Sequence, residues 1–559
     1  MSGTALMSIG LRAMTASYAA LQTTGHNIAN ASVDGYSRQQ VELATSTGQY
    51  TGAGYFGKGV DVQAVTRAHD AYLTREAANA KAAASRDQAR LDGLRQLETI
   101  FPTGEAGIGY STGQFLNALV DLASHPSDLA TRQTVLARAD ETAGRFAAAA
   151  AQLDSLQAAT SERLTAAVAT VNGLSRSIAE VNQKIAAVSG LGQTPNDLLD
   201  ERERLIARLS EQVQVTTIAA DDGTLSVFIA GGQRLVLGTQ VSELAVVRDP
   251  LDSSRAAVAV REGGFERVLS GESIGGGAIG GLLEFQNRDL VDARTQLGQL
   301  ALAFATAVND QQALGLDMGD PPGPGAPMFA VGSPLALPHV DNQRNAGGDF
   351  AAQVTLAIDD ASQLVASEYE LRADPAGAPG SWLLTRRSDG LVRSVTDGSR
   401  VDGFTISLGS PPPAATDRFL LQPVSHAASD MRRALGNVLG IAAASPVTAS
   451  ASPANTGTAS VGALAVVDPA LDPALSATIT FTSGSGDYSW ELRDRTSNAL
   501  VSSGTASWTA GRPIALNGFE LSLDGVPRSG DSFSVVRTAF PAANHRHALA
   551  MLPLRDQAL

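Results

Sequence analysis

The sequence of 559 residues contains no cysteine, and aromatic residues make up only 5 % of it. Without cysteine the chain can form no disulfide, no thiol nucleophile and no zinc site with Cys ligands. Few aromatics mean that its cores rely on Ala, Leu and Val, which suits long helices and small sandwiches. The length is too great for one core, so about two to four domains are expected.

Long apolar runs are also missing. No stretch reaches the roughly 18 uninterrupted apolar residues of a membrane span, and the N-terminus lacks the basic region and dense apolar block of a cleaved secretory signal. The net charge of −15 argues against non-specific binding to nucleic acid or anionic lipid. We therefore expect no nucleic-acid partner and no membrane partner.

Charge is almost absent from the N-terminal segment, where Arg12 is the only formally charged side chain between Met1 and Val33 if His26 is neutral. Its apolar residues form two adjacent helical stripes, which together make an unusually wide face. They are Met7, Leu11, Met14, Tyr18 and Leu21, and Leu6, Ile9, Ala13, Ala16 and Ala20. The alternative is a core helix of one globular domain. We favour burial against neighbouring subunits, because a terminal helix is loosely held unless something docks on it.

A helical region is predicted from about Asp70 to Val213, with alanine-rich sequence at 77–97 and a helix-start signal at 125–128. From there a heptad pattern runs to about Val188, and Gln157 occupies its one skipped apolar position. About 60 residues of helix would be about 90 Å long. We expect an intramolecular bundle rather than an intermolecular coiled coil, with partner helices at 196–213 and 290–307. The charged run 197–204 is expected to be solvated surface or a rim contact between subunits.

The apolar period changes to two after Val213, which predicts a small β element with a hairpin at Asp221-Asp222-Gly223. The Pro/Gly-rich stretch 321–338 is expected to be a linker or an ordered arm. Beyond it, 369–372, 403–408 and 417–419 are echoed in order by 490–493, 518–523 and 531–533. Two similar β-rich lobes are therefore predicted, with chance similarity as the alternative. A short helix is expected at 427–435.

These patterns predict a multidomain α+β fold: an elongated helical bundle or coiled-coil rod with inserted β-rich domains and an N-terminal assembly helix. The expected divisions are 1–39 (axial assembly segment), 40–212 (helical rod), 213–280 (small β insertion), 281–318 (helix returning to the rod), 319–348 (linker), 349–442 (first lobe), 443–462 (linker), 463–541 (second lobe) and 542–559 (start of a truncated C-terminal helix).

The sequence presents no catalytic constellation, so we expect no enzyme, no cofactor and no metal. His545 and His547 are the only close histidines, and a two-residue spacing on a helix puts them on different faces. The glycines at 275–277 and 280–281 precede a helix but lack the Lys and Ser/Thr of a phosphate loop. A turn or close packing explains them better.

The N-terminal motifs resemble a known family. The runs Gly25-His26-Asn27-Ile28-Ala29-Asn30 and Gly35-Tyr36 are similar to the signature of flagellar axial proteins, although Val33-Asp34 stands where that signature usually has Thr-Pro. Ser37-Arg38-Gln39 narrows the resemblance to the hook-associated protein 1 family, that of the hook-filament junction. Three further stretches agree in order, over roughly residues 1 to 330: 57–62 with Arg67 and Asp70, 196–205, and 280–285.

The resemblance implies a structural protein of the bacterial flagellum, needed for flagellum assembly and motility, that joins hook to filament by subunit packing. It implies self-association in a ring, contacts with the hook protein and with a second hook-associated protein on the filament side, and an export chaperone. It also implies type III secretion to the extracellular flagellum. Residues 544–559 resemble the beginning of the family's C-terminal helix, and the further helix that would pair with the N-terminal one is not in the sequence.

Two alternatives stay open: a flagellar hook or distal rod protein, and a secreted stalked adhesin or hydrolase. For the favoured function, we expect the subunit contacts at Leu6, Met7, Leu11, Met14, Tyr18, Leu21, His26, Asn27, Ile28, Asn30 and Tyr36.

Overall fold

The computed structural model describes residues 3–52, 54–189, 194–378 and 380–555. Helices and strands are mixed along the chain, which confirms the multidomain α+β class. Two compact units are present, and each is built from two separate stretches. Unit one comprises Met1–Leu97 and Ser155–Leu290, and unit two comprises Glu98–Asp154 and Val291–Leu559.

The first elements are a helix, a strand ladder and a second helix. They are α1 (Gly3–Asn30), β1 (Gln39–Thr45), β2 (Gln49–Thr51), β3 (Gly54–Phe56), β4 (Val60–Arg67) and α2 (Ala71–Ile100). The antiparallel pairs β1–β4 and β2–β3 correct the expectation that the helical rod begins at residue 40. The reason is visible in the sequence, since Val41-Glu42-Leu43 and Val60-Asp61-Val62 alternate apolar and charged residues as strands do.

Three helices follow: α3 (Ile108–Ser124), α4 (Leu129–Ser189) and α5 (Asn196–Gln212). The long helix α4 starts directly after Asp128, whose carboxylate accepts a hydrogen bond from the Thr131 N–H at 3.0 Å. Hydrogen bonds from Thr131 also lower the pKa of Asp128. Gln157 is buried at its skipped apolar position because its amide donates to Gln286 Oε1 at 2.9 Å. The heptad pattern therefore predicted α4 correctly. The turn expected at 190–195 lies mostly outside the described residues.

Unit one continues with strands and short helices. They are β5 (Thr216–Ala219), β6 (Leu225–Ile229), β7 (Gln233–Leu237), β8 (Gln240–Val241), β9 (Glu243–Arg248), β10 (Ala256–Glu262), β11 (Phe265–Val268), α6 (Gly271–Ile274) and α7 (Gly277–Glu284). The sheet orders are β5-β6-β7-β8 and β11-β10-β9. Their apolar side chains share one core with α4, α5 and α7, which includes Val171, Leu209, Val236, Val258 and Leu282.

Glycine allows α7 to approach α2 closely. A Cβ on Gly281 would lie 2.2 Å from the Arg86 carbonyl oxygen, and Gly93 of α2 faces the Phe285 ring. Gly277 has a φ of +76°, and a Cβ there would meet the backbone of Gln212 and Val213. Close packing is thus the structural role of this glycine-rich stretch.

A π-helical turn (Phe285–Asp289) leads from α7 into α8 (Leu290–Ala313). In unit two, α8 contributes Phe304 to a cluster of aromatic rings with Phe115, Phe146 and Phe329. Arg132 is also buried in this unit, and its guanidinium donates to the carbonyls of Pro126, Val438 and Ile441. This unit is therefore held by aromatic packing and by a buried cation that binds backbone oxygens.

The rest of unit two contains two β lobes. The strands are β12 (Phe329–Ala330), β13 (Leu335–Pro338), β14 (Thr355–Ile358), β15 (Tyr369–Ala373), β16 (Trp382–Arg386), β17 (Val392–Val395), β18 (Arg400–Val401), β19 (Phe404–Ser407), β20 (Arg418–Gln422), β21 (Arg432–Arg433), β22 (Val447–Ala451), β23 (Ser460–Val466), β24 (Leu475–Phe481), β25 (Asp487–Asp494), β26 (Leu500–Ser507), β27 (Ile514–Leu516), β28 (Phe519–Asp524) and β29 (Ser532–Arg537).

The lobes have the same topology. The first has sheets β13-β20-β15-β16-β17 and β14-β19-β18, and the second has β22-β29-β24-β25-β26 and β23-β28-β27. Each strand of the first lobe thus has its counterpart nine strands later. Each lobe also has its own hydrophobic core. The common order supports duplication over chance similarity of short strands.

Three expectations for this region were wrong. The stretches expected as linkers at 319–348 and 443–462 carry β12, β13, β22 and part of β23. The strands β13, β22 and β23 complete the sheets of the lobes, and β12 pairs with β21. Phe329 is in fact buried. Residues 427–435 form turns and β21 instead of a helix, since Arg432 and Arg433 pair with β12.

The described C-terminal part contains α9 (Arg546–Ala550) and a 3-10 turn (Leu552–Arg555), and residues 556–559 of the expected C-terminal helix lie outside it. His547 is buried, and its Nε2–H donates to the Gln311 carbonyl at 2.7 Å. Burial lowers the pKa of His547 to about 4. The neutral imidazole thus holds α9 against the end of α8.

We predict opposite effects for two Gly→Ala substitutions in unit one. Gly281→Ala should destabilise the unit by about 1–3 kcal/mol, because the new methyl group would collide with the Arg86 carbonyl. The matched control is Gly173→Ala in α4, where a Cβ meets nothing within 4 Å, and it should stabilise by about 0.5–1 kcal/mol. Urea unfolding of full-length variants measures both. Equal effects of the two substitutions would contradict the close packing of α7 on α2.

We also predict a pH dependence that arises from His547. Its folded-state pKa of about 4 lies below the ordinary 6.5, so the unfolded chain takes up the proton first. The stability due to the neutral imidazole is full above pH 6.5 and is lost as the pH falls towards 4, about 3 kcal/mol in all. The free energy of unfolding of His547→Gln should lack this loss, whereas His545→Gln, the control, should retain it. If the free energy of unfolding depended on pH identically in the wild type and in His547→Gln, the pH dependence would not arise from His547.

Candidate assembly surface at the N-terminus

Helix α1 leaves its large apolar side chains in solvent. Seven of them are between 63 % and 79 % exposed: Leu6, Met7, Leu11, Met14, Tyr18, Leu21 and Ile28. By contrast, Ala16 is buried, and Ile9 lies against Gly59. The alternative of a core helix within one globular domain therefore does not describe α1, since only a narrow side of the helix is covered by its own chain.

The covered side of α1 is fixed to the β1–β4 ladder. Arg12 forms an ion pair with Asp61 at 2.5 Å and donates to Ser46 Oγ at 2.7 Å. Asp61 belongs to β4, and Ser46 directly follows β1. Arg12, the one formally charged side chain of the segment, therefore binds to the ladder of its own chain.

Asn27 joins the C-terminal part of α1 to the start of β1. Its Nδ2 donates to the Gln39 carbonyl and its Oδ1 accepts from the Gln39 N–H, both at 2.8 Å. The Tyr36 hydroxyl also donates to Asn27 Oδ1 at 2.8 Å, and His26 Nδ1 lies 3.1 Å from that hydroxyl. This reciprocal pairing sets the angle at which α1 leaves the ladder.

Helix α5 supports the same turn from the other side. Asp200 accepts from the Ser37 N–H at 3.1 Å and pairs with Arg67 at 2.6 Å, and Arg67 also reaches Glu203 at 2.8 Å. Asn196 donates to the Val65 carbonyl at 2.7 Å. The expectation that 197–204 is solvated surface was wrong for Asp200, whose carboxylate is buried because Arg67 and a backbone N–H satisfy it.

Burial and nearby carboxylates favour the protonated form of the Tyr36 hydroxyl. Burial, with added repulsion from the Asp200 and Asp197 carboxylates, raises the pKa of Tyr36. Its hydroxyl therefore keeps its proton and remains the donor to Asn27. Gly35 has a φ of +74° beside the Arg204 side chain, a conformation that favours glycine in this turn.

The expected site residues thus fall into two groups. The apolar ones form the exposed stripe of α1, whereas His26, Asn27 and Tyr36 come together at the junction, and Asn30 Nδ2 donates to the His26 carbonyl at 3.0 Å. Sequence reasoning missed Arg67 and Asp200 as partners. The signal was available, because both lie in the stretches that carried the family resemblance.

Other site types find little support in the part of the chain that the structure describes. Within the described ranges, no group of three or more His, Asp or Glu side chains is arranged to hold a metal ion. Among the helices of these same ranges, none has the length and apolarity needed to cross a bilayer.

Comparison with known proteins shows to which family the chain belongs. Residues 94–329 match the profile of the flagellar hook-associated protein FlgK helical domain. The chain is 31 % identical over 447 residues to flagellar hook-associated protein 1 of Salmonella typhimurium, covering 79 % of each protein. The chain belongs to the hook-associated protein 1 family. The family protein of Escherichia coli K12 is also 31 % identical, over 76 % of this chain and 77 % of that one.

A solved structure supports the assignment over most of the fold. The flagellar hook junction protein FlgK from Burkholderia pseudomallei superposes with a TM-score of 0.73 at 29 % identity, covering 86 % of this chain and 90 % of that one. The resemblance drawn from the motifs is therefore confirmed. Hook-associated protein 1 is a component of the bacterial flagellum, and membership of this structural family favours a non-enzymatic role.

We predict that the Arg67–Asp200 pair holds the junction. Asp200→Ala should destabilise unit one by about 3 kcal/mol, because it leaves the buried guanidinium of Arg67 with Glu203 alone. It should also speed hydrogen exchange at residues 36–39. Asp197→Ala on the same helix is the control and should change stability by less than about 0.5 kcal/mol, since its carboxylate is exposed. If hydrogen exchange at residues 36–39 were unchanged in Asp200→Ala, the Arg67–Asp200 pair would not hold the junction.

Proposed function

We propose that the chain forms a ring between the flagellar hook and filament, with the exposed stripe of α1 as the contact between subunits. The observation that carries this proposal is the solvent exposure of seven large apolar side chains on a helix that is firmly tied to its own chain. Family membership supplies the place of the protein in the flagellum.

The energetics favour burial of this stripe. Covering one large apolar side chain stabilises an assembly by about 1.5–3 kcal/mol. An apolar surface of this width is uncommon on a monomer and marks an interaction site. Arg12 is paired with Asp61, so the stripe can be covered without leaving an unpaired charge in the interface.

The helix supports a contact that propagates. A stripe on one subunit that packs against a different surface of the next makes a heterologous interface, and such interfaces close into rings or extend along a tube. Asn27 and Tyr36 contribute indirectly, because they fix the orientation in which every subunit presents the stripe.

The partners follow from this position. The ring contacts the hook protein on one side and a second hook-associated protein on the filament side. An export chaperone binds the chain before secretion, and the type III apparatus delivers the chain to the extracellular flagellum. Absence of cysteine suits export in an unfolded state, since no disulfide can form on the way.

We predict that charge on the stripe abolishes joining. In Leu11→Asp/Met14→Asp, assembly would bury two unpaired carboxylates, which costs several kcal/mol. Electron microscopy should show at least about tenfold fewer hooks with filaments, and filament protein should appear in the medium. The secreted amount of the variant should match the wild type.

The control places the same charges on an exposed strand of the same unit. Phe265→Asp/Val268→Asp on β11 replaces two exposed apolar residues of the same unit and should leave joining intact. If the α1 variant is exported and still joins hook to filament normally, the stripe is not the assembly surface.

A further inference from the structure

The turn between β27 and β28 in the second lobe consists of an asparagine followed by a glycine. Asn517 and Gly518 have φ values of +44° and +76°, the combination that a two-residue hairpin turn needs. Glycine is required at the second position, because a Cβ there would lie 3.1 Å from the Leu471 Cα. Residue 518 therefore has no side chain that could shield its backbone nitrogen from the Asn517 amide.

The Asn517 side chain is attached to one neighbouring residue. Its Nδ2 donates to the Asp472 carbonyl at 3.0 Å, and its Oδ1 accepts from the Asp472 N–H at 3.3 Å. Asn517 and Gly518 are both partly exposed. Strand β27 has three residues and lies at the edge of its sheet, so this turn can open without unfolding the lobe.

The sequence contains one other Asn-Gly pair, Asn172-Gly173, which lies inside α4. Asn172 is bonded reciprocally to the Leu244 backbone at 2.8 and 2.9 Å. The Gly173 N–H belongs to the hydrogen-bond ladder of a 61-residue helix. The two pairs share the same chemistry and differ in how much structure must open before the glycine nitrogen can reach the asparagine side chain.

We propose that Asn517 is a deamidation site, where the folded second lobe converts an amide into a carboxylate. The Gly518 backbone nitrogen attacks Asn517 Cγ: the N–Cγ bond forms, the Cγ–Nδ2 bond breaks, and the proton of that nitrogen leaves with Nδ2 as ammonia. Water then opens the resulting succinimide at either of its two carbonyl carbons, which gives aspartate or isoaspartate. Water is the only co-reactant, and nothing is oxidised or reduced.

The first lobe shows what a carboxylate at this turn requires. Its equivalent turn, between β18 and β19, consists of Asp402 and Gly403, with φ values of +46° and +83°. The Asp402 carboxylate accepts from the Tyr369 hydroxyl at 2.8 Å and pairs with Arg386 and Arg393 at 3.0 and 3.1 Å. Two guanidinium groups therefore neutralise the charge at this position.

The second lobe replaces one of these partners by a residue of opposite charge. Arg386 and Asp494 occupy equivalent positions, since the carbonyl of each accepts at 2.8 Å from the N–H four residues later. An aspartate thus stands where the first lobe has an arginine. Deamidation of Asn517 would also remove the donor to the Asp472 carbonyl and place a carboxylate against that oxygen. We expect the segment 468–475 to loosen as a result.

Peptide mapping by mass spectrometry tests the proposal on the purified full-length chain, incubated near neutral pH either folded or in urea. In the folded chain, Asn517 should convert at least about tenfold faster than Asn172, because a local opening costs less than unfolding α4. In the urea-unfolded chain both pairs are free, so the two rates should agree within about threefold. If Asn517 in the folded chain converted no faster than Asn172, the proposal would be overturned.

A variant tests the structural consequence. Asn517→Asp should speed hydrogen exchange at residues 468–475 at least about tenfold, since it lacks the amide donor. The control is Asn498→Asp in an exposed turn of the same lobe, which should leave exchange at 468–475 unchanged. Unchanged exchange in Asn517→Asp would overturn the loosening. Both measurements use the isolated chain, so neither result depends on the proposed function.

Discussion

The reciprocal hydrogen bonds between Asn27 and Gln39 are the constraint on which the N-terminal surface depends. They tie the end of α1 to the first residue of β1 at two points. Arg12 ties the same helix to the other end of the ladder. A helix held at Arg12 and at Asn27 cannot rotate freely about its axis, so the side that carries Leu11 and Met14 faces outwards.

The junction in turn depends on a buried ion pair. Arg67 and Asp200 lie far apart in sequence, and their contact brings the end of β4 to the first turns of α5. Such pairs add little net stability over an apolar contact, but they tolerate only one geometry. The orientation of α1 is therefore set by directional polar contacts, which leaves its large apolar side chains exposed.

Sequence patterns predicted the helices better than the strands. The heptad pattern and the start signal at 125–128 located α4, because apolar periodicity and capping are local properties. The strands at 39–67 were missed although β1 and β4 alternate apolar and charged residues, because the glycine-rich segment between them breaks the pattern. The burial of Asp200 was missed because a charged run on a helix reports nothing about a distant partner such as Arg67. The exposed stripe was predictable because its residues follow one helical period.

The two lobes show why the linker predictions failed. Asp417 accepts from the N–H of Ala414, three residues before it, and of Gln343 after β13. Asp531 likewise accepts hydrogen bonds from the N–H of Arg528, three residues before it, and from the N–H of Thr456 after β22.

Two asparagines also occupy equivalent positions in the two lobes. Asn342 bonds reciprocally to the backbone of Arg418, and Asn455 to that of Ser532. Each lobe thus uses one buried aspartate and one asparagine to clamp its first strand to its last. The aspartates stand in the repeated motifs, whereas the first strands lie in Pro/Gly- or Ser/Ala-rich sequence that reads as linker. The clamp and the strand pairs β13–β20 and β22–β29 are contacts between distant residues, and together they make those stretches part of the lobes.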